Sequence, residues 1–241
     1  MTRTSTSPRV AVAGATGLIG RALLHTLRAD PGVGKVYAVL RAGSRSGDLP
    51  TGVKAVKLDY AALAAAASGT SASASNALPP LEWAICALGT TIKQAGSEAA
   101  FRAVDVDAVL AFARAAKAAG AKRFGVVSAL GANATSRVFY NRCKGEMEAA
   151  LAEIGFEQWL VARPSLLLGD RGTLGQPTRI GEVIAQHLTP LIAWVIPRRL
   201  RPIDARVVAR AMCIAMAERR PGARVVESDE LQRLGLAVAA H

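Results

Sequence analysis

The chain has 241 residues, 51% hydrophobic but only 5% aromatic, so its apolar content is mostly small aliphatic side chains in a length sufficient for one sizeable core. Thirty Lys and Arg against 18 Asp and Glu give a formal charge of +12. Such a surface attracts anions without choosing among them, and the absence of zinc-finger spacing or an aromatic-interleaved basic motif argues against nucleic acid.

The opening MTRTSTSPR, basic and free of acid, is too short ahead of the first strand to be a transit peptide and reads as a frayed terminus. RVAVAG then predicts a strand and LIGRALLHTLRA a helix, ended by Pro31-Gly32. KVYAVLR and VKAVKL predict strands two and three, and LEWAICAL the fourth. EAAFRAVDVDAVLAFARAAKAAG predicts one long helix closed by Gly120. KRFGVVSA predicts the fifth strand, FYNRCKGEMEAALAEI a helix, QWLVARP the sixth strand, DARVVARAMCIAMAERR a helix and ARVVES a last strand. Strands alternating with helices at this spacing imply an α/β, doubly wound, mostly parallel sheet. Residues 68–80 are low-complexity and read as a surface loop. Residues from about 166 to 202 break the alternation and read as a small substrate lobe or lid within a single domain spanning 1–241.

Gly14-Ala15-Thr16-Gly17-Leu18-Ile19-Gly20 lies between the first strand and the first helix. Gly14 permits a tight turn, Gly17 a close approach of backbone to a pyrophosphate, and Gly20 close helix–strand packing. The free N–H groups at the helix start favour a phosphate. The second strand ends at Arg41 with no acid to take a ribose 2′-hydroxyl, so Arg41, with Arg45 nearby, suits a 2′-phosphate and predicts NADP(H). Asp59, after the third strand, is placed either near the adenine or as a helix N-cap.

Tyr140 and Lys144 are four apart on a predicted helix and share a face. Ser128 ends the fifth strand, on the side where such sheets bind ligands. A phenol needs a neighbouring cation to exchange protons near neutral pH. Lys144 supplies that cation and can hold a nicotinamide ribose, and Ser128 can orient a carbonyl oxygen. This predicts hydride transfer to or from a carbonyl, with Tyr140 as acid/base. The stretch HLTPLIAWVI predicts an apolar pocket wall, hence a fairly apolar substrate.

The glycine loop, Ser128 and the Tyr140–Lys144 motif resemble the short-chain dehydrogenases/reductases of the atypical or extended kind. CALGTTIKQAGSEAAF, SALGANATSRVFYNRCKGEME and RPSLLLGDR resemble, more narrowly, the Tat-interacting-protein (CC3) oxidoreductase family and its bacterial relatives. The resemblance covers nearly the whole chain. It implies a Rossmann domain with a small C-terminal lobe and NADPH as cofactor. By matching position it places Ala87, Leu88, Gly89 and Thr90 against the adenosine ribose, and Pro164, Ser165, Leu166 and Leu167 beside the nicotinamide. The chain departs from some relatives in having Ser128-Ala129 where they have two serines. The relay asparagine of many short-chain dehydrogenases has no clear match either: Asp105 stands in that neighbourhood and reads as a solvated helix position.

Two other functions fit the same loop and pair. A nucleotide-sugar epimerase needs a larger C-terminal domain than this chain leaves room for. A cofactor-sensing interaction protein would bind NADPH without turnover. His25 reads as packing or surface and His187 as part of the lobe. With no Cys/His cluster, no metal is expected. Cys86, Cys143 and Cys213 form no CxxC pair, which predicts a reducing compartment, taken as the cytoplasm. Arg198, Arg199 and Arg201 read as a solvated basic loop. No apolar run reaches the ~20 residues of a membrane span, and helix-mediated homodimerisation is compatible with the fold.

Overall fold

A computed structural model describes residues 7–43, 49–66, 77–168, 197–218 and 220–237. The low-complexity loop at 68–80 falls mostly outside these residues, as do Arg45 and residues 169–196 of the expected lobe.

The elements in chain order are β1 (Val10–Ala13), α1 (Leu18–Ala29), β2 (Val36–Arg41), β3 (Val53–Leu58), α2 (Tyr60–Ala66), β4 (Trp83–Cys86), a short α3 (Ile92–Ala95), α4 (Glu98–Arg102), a π-helical turn (Ala103–Asp107) and α5 (Ala108–Ala118). There follow β5 (Arg123–Val127), α6 (Phe139–Ala152), β6 (Gln158–Arg163), β7 (Leu167–Leu168), β8 (Ile203–Asp204), α7 (Ala205–Ala217), β9 (Gly222–Glu227) and α8 (Ser228–Ala237). Seven strands form one sheet in the order β3-β2-β1-β4-β5-β6-β9, and every pairing in it is parallel. This is the expected doubly wound Rossmann fold.

A parallel strand with helices over both faces must be apolar on both. β1 shows why VAVA suffices: Val10 and Val12 enter the core beneath α1 and α7, while Ala11 and Ala13 enter the core beneath α5 and α6. Strand order reverses between β1 and β4, whose neighbours lie on opposite sides. The crevice beyond their carboxyl ends is where an open α/β sheet takes its ligand.

Several elements escaped the sequence pattern, the short α3 among them. The expected long helix from Glu98 is interrupted by the π-turn, where the Ala108 N–H bonds the Ala103 carbonyl five residues back. β7 and β8 form a separate two-stranded parallel sheet. α8 packs against α7, and Gly235 allows it, since a Cβ there would lie 2.1 Å from the Val207 carbonyl oxygen.

Candidate active site

At the switch point the loop after β1 touches the loop after β4. Gly14 has φ +75°, and a Cβ there would lie 2.4 Å from the Ala87 carbonyl oxygen. A Cβ on Gly20 would lie 2.0 Å from the Gly14 carbonyl oxygen. Both positions therefore exclude any side chain. A Cβ on Gly17 would meet only the Gly14 oxygen, at 3.4 Å, so Gly17 faces open space. Among the described residues no side chain caps the start of α1, and its first turn holds no acid. That combination suits a pyrophosphate.

The loop opens into a cleft of about 580 Å³, in the usual range for small-molecule sites. It is lined by Gly14 to Ile19, by Arg41 at the end of β2, by Ala87 to Thr90 after β4, by Ser128, Tyr140 and Lys144, and by Leu167. The sequence-predicted residues thus converge with few exceptions. Gly20 serves packing. The Asp59 carboxylate accepts the Ala61 and Ala62 N–H groups, each at 3.0 Å, which is the N-cap alternative; Tyr60, not Asp59, borders the cleft. Pro164, Ser165 and Leu166 do not border it. The Pro164 carbonyl accepts the Leu130 N–H, the Ser165 hydroxyl is bonded to the Arg201 carbonyl, and the Leu166 carbonyl accepts the Ile203 N–H that joins β7 to β8. Arg41 is exposed and no carboxylate pairs with it among the described residues.

α6 carries Tyr140 and Lys144. The Tyr140 ring packs on the buried Phe101 of α4, centroids 5.6 Å apart, and Lys144, one turn on, is 3% exposed. A lysine this buried requires a partner. Asp105, itself 1% exposed, places Oδ1 2.7 Å from Lys144 Nζ, and its Oδ2 accepts the Thr90 N–H at 2.8 Å. Burial opposes the Lys144 charge, but the Asp105 carboxylate and then Tyr140 outweigh it and hold the ammonium above the ordinary lysine range. Asp105 is therefore not solvated, contrary to the sequence expectation. The signal lay in its spacing: it sits four residues after Phe101 and four before Val109, on the apolar stripe.

Glu148 was likewise missed. The Ser128 hydroxyl donates to Glu148 Oε1, and Arg163 on β6 grips that carboxylate with two N–H groups, Nη2 at 2.6 Å and Nε at 3.1 Å. Arg163 also reaches Glu227 at 3.2 Å. Glu148 lies one turn beyond Lys144 on α6 and borders a second, open groove with Asn133, Trp159 and Arg163. All three cysteines are buried and unpaired with one another. Burial pushes the Cys86 and Cys213 thiols up to about 12 and raises Cys143 too, so none is poised as a thiolate.

Residues 14–189 match the profile of a family described as NAD(P)H-binding. Protein FMP52, mitochondrial, of Eremothecium gossypii is 30% identical over 227 residues, covering 92% of this chain and 95% of the relative. Protein HTATIP2 of Rattus norvegicus is 44% identical over 101 residues, 42% of this chain and 40% of that one. Among solved structures, the Bordetella bronchiseptica enzyme WbmG in complex with NAD and UDP superposes with a TM-score of 0.62 at 15% identity, covering 95% of this chain and 76% of that one. The UDP-glucose 4-epimerase of Thermus thermophilus in complex with NAD gives 0.61 at 17%, over 96% and 83%. These two likenesses are of fold alone. The cytoplasmic expectation is corrected by the relatives: the FMP52 proteins of E. gossypii, Emericella nidulans and Candida albicans are named mitochondrial. Unpaired cysteines report a reducing milieu, which does not identify one compartment. No helix among the described residues is long and apolar enough to cross a membrane.

Proposed function

The chain belongs to the atypical short-chain dehydrogenases/reductases, in an NAD(P)H-binding family, and from that premise we propose that it is an NADP(H)-dependent oxidoreductase interconverting a carbonyl and its alcohol. The observation that carries the reading is convergence. A backbone cradle suited to a pyrophosphate, a guanidinium at the end of β2, and Tyr140 with Lys144 all border one cleft.

The dinucleotide supplies or takes the hydride. The protein's side chains handle the oxygen and its proton. In reduction Tyr140 gives its phenolic proton to the oxygen as negative charge develops there, and it takes one from the alcohol in the reverse direction. Lys144 stands one turn away on the same face of α6, where its ammonium would hold the nicotinamide ribose. Ser128 follows β5 and borders the same cleft, so its oxygen is available there while its proton is held by Glu148. In this arrangement Ser128 accepts a hydrogen bond, from an alcohol or from Tyr140. Donation to a substrate carbonyl requires it to turn away from Glu148. Arg41 would clamp a ribose 2′-phosphate, which carries the preference for NADP(H) over NAD(H).

The engagement of Ser128 by Glu148 also favours a second reading, a protein that binds the dinucleotide and signals through a partner. Tyr140→Phe separates the two. We expect the variant to lose carbonyl reduction by at least about 10²-fold while NADPH affinity stays within a few-fold, measured by NADPH oxidation against a panel of apolar ketones and quinones and by fluorescence titration. Unchanged turnover in Tyr140→Phe would remove Tyr140 from the chemistry, and a wild type that binds NADPH but reduces nothing in the panel would favour the sensor.

A further inference from the structure

The reactive lysine is not held by the cofactor cleft alone. Lys144 and Asp105 form an ion pair 2.7 Å apart with both side chains almost wholly buried. Each on its own would be an uncompensated charge in the interior, a costly state. Both carboxylate oxygens are committed, Oδ1 to Lys144 and Oδ2 to the Thr90 N–H. Thr90 belongs to the loop after β4 that lines the cleft. Gly89 lies over the same carboxylate, where a Cβ would come within 3.4 Å of Oδ1. The side chain issues from the π-turn, and such single turns inside α-helices are frequent at functional sites. Ala103, Val104 and Ala108 of this region also border the cleft.

We infer that Asp105 is a positioning residue of the cleft: from the π-turn it neutralises the buried Lys144 ammonium and fastens the Gly89–Thr90 loop to it, so that the two halves of the site, β4 and α6, are joined through one carboxylate. This rests on the reading of the cleft as the dinucleotide site only for its effect on cofactor binding. The charge compensation itself stands on the ion pair.

The titratable groups that face the pair are Tyr140 on α6 and Cys86 on β4, besides Lys144 and Asp105 themselves. In the wild type the lysine is held above its ordinary range, so the pair's stabilisation is present through neutral pH and is lost only as pH rises beyond that range. In Asp105→Asn the carboxylate is gone, and burial, the largest influence on Lys144, is opposed only by Tyr140 and Cys86. Its folded-state value then falls below the unfolded one, so the charged form is disfavoured in the fold. The destabilisation of the variant is therefore greatest at lower pH and relaxes as pH rises.

The test is a set of thermal melts of the cofactor-free protein between about pH 7 and about pH 9, for wild type, Asp105→Asn, and Asp105→Asn with Lys144→Met. We expect the deficit of the single variant to shrink with rising pH, and the double variant to show no such dependence because no buried charge remains. If the single variant does not fold while the double variant does, that rescue is the same result in stronger form. A deficit independent of pH, a dependence that persists without Lys144, or failure of both variants to fold would overturn the inference. NADPH titration of the same proteins is read separately. Affinity of Asp105→Asn should fall on the order of tenfold across that pH range as Lys144 loses its charge, against a nearly flat wild type. A wild type that binds no NADPH would remove the dinucleotide reading while leaving the melts to decide the role of Asp105.

Discussion

A serine hydroxyl has one proton, and in Ser128 it goes to Glu148. Arg163 holds that carboxylate through a two-pronged contact, and charge-assisted hydrogen bonds are stronger than neutral ones. The group at the end of β5 therefore depends on a side chain that lies outside the cleft, in the neighbouring groove. Glu148→Gln should cost about 1–2 kcal/mol of unfolding free energy in urea, since Arg163 keeps Glu227 and the amide can still accept. It should leave NADPH affinity unchanged. No measurable loss would mean that the contact does not hold the serine, and a change in NADPH affinity would mean that Glu148 acts on the cleft more directly than its position implies. Glu148 and Asp105 share one reason for being missed in the sequence. Each looks like a helix-face acid until a cation from another element, Arg163 on β6 or Lys144 on α6, is folded against it. Pairings that distant in sequence leave no local signature of the partner, although its place on the apolar stripe already marked Asp105 as buried.

α6 does more than carry Tyr140 and Lys144. The residue after Lys144 is Gly145, and a Cβ there would stand 2.1 Å from the Ala134 nitrogen and 2.2 Å from the Asn133 carbonyl carbon. These are backbone atoms of the loop running from Ser128 to α6, so they cannot swing aside. Gly145→Ala should force that loop off the helix and cost about 2 kcal/mol or more, seen as a lower melting temperature. A variant as stable as wild type would show that the loop is free to move. Short β-branched runs alternating with longer helix-forming stretches located β1 to β6, β9, α1, α6 and α7. The pattern failed where geometry departs from one ideal period. The π-turn shifts the helix by one residue without changing composition. α8 has a glycine at 235 where it meets α7, and the sequence pattern predicted no helix after the last strand. β7 and β8 are two residues each, too short to show alternation.

At the scale of the molecule, the sheet order places the glycine loop, Arg41 and the Tyr140–Lys144 pair at one end of the strands, around the point where the winding reverses. That arrangement follows from right-handed crossovers, and the site was legible because its glycines and its Tyr–Lys spacing sit at element ends that the pattern itself locates. The formal charge of +12 adds a general attraction for an anionic ligand, which does not distinguish the two cofactors; the proposed preference for NADP(H) rests on the end of β2. The proposed binding of NADP(H) in this cleft rests on the backbone cradle and Arg41. Its most direct test is thermal stabilisation of cofactor-stripped protein titrated with NADPH and with NADH, in wild type and in Arg41→Ala, because a ligand that binds only the folded state raises the melting temperature by mass action. Strong stabilisation by NADPH, weak stabilisation by NADH, and loss of the NADPH advantage in Arg41→Ala is the expected result. Equal or greater stabilisation by NADH would contradict the role given to Arg41, and stabilisation by neither would contradict the account of the cleft.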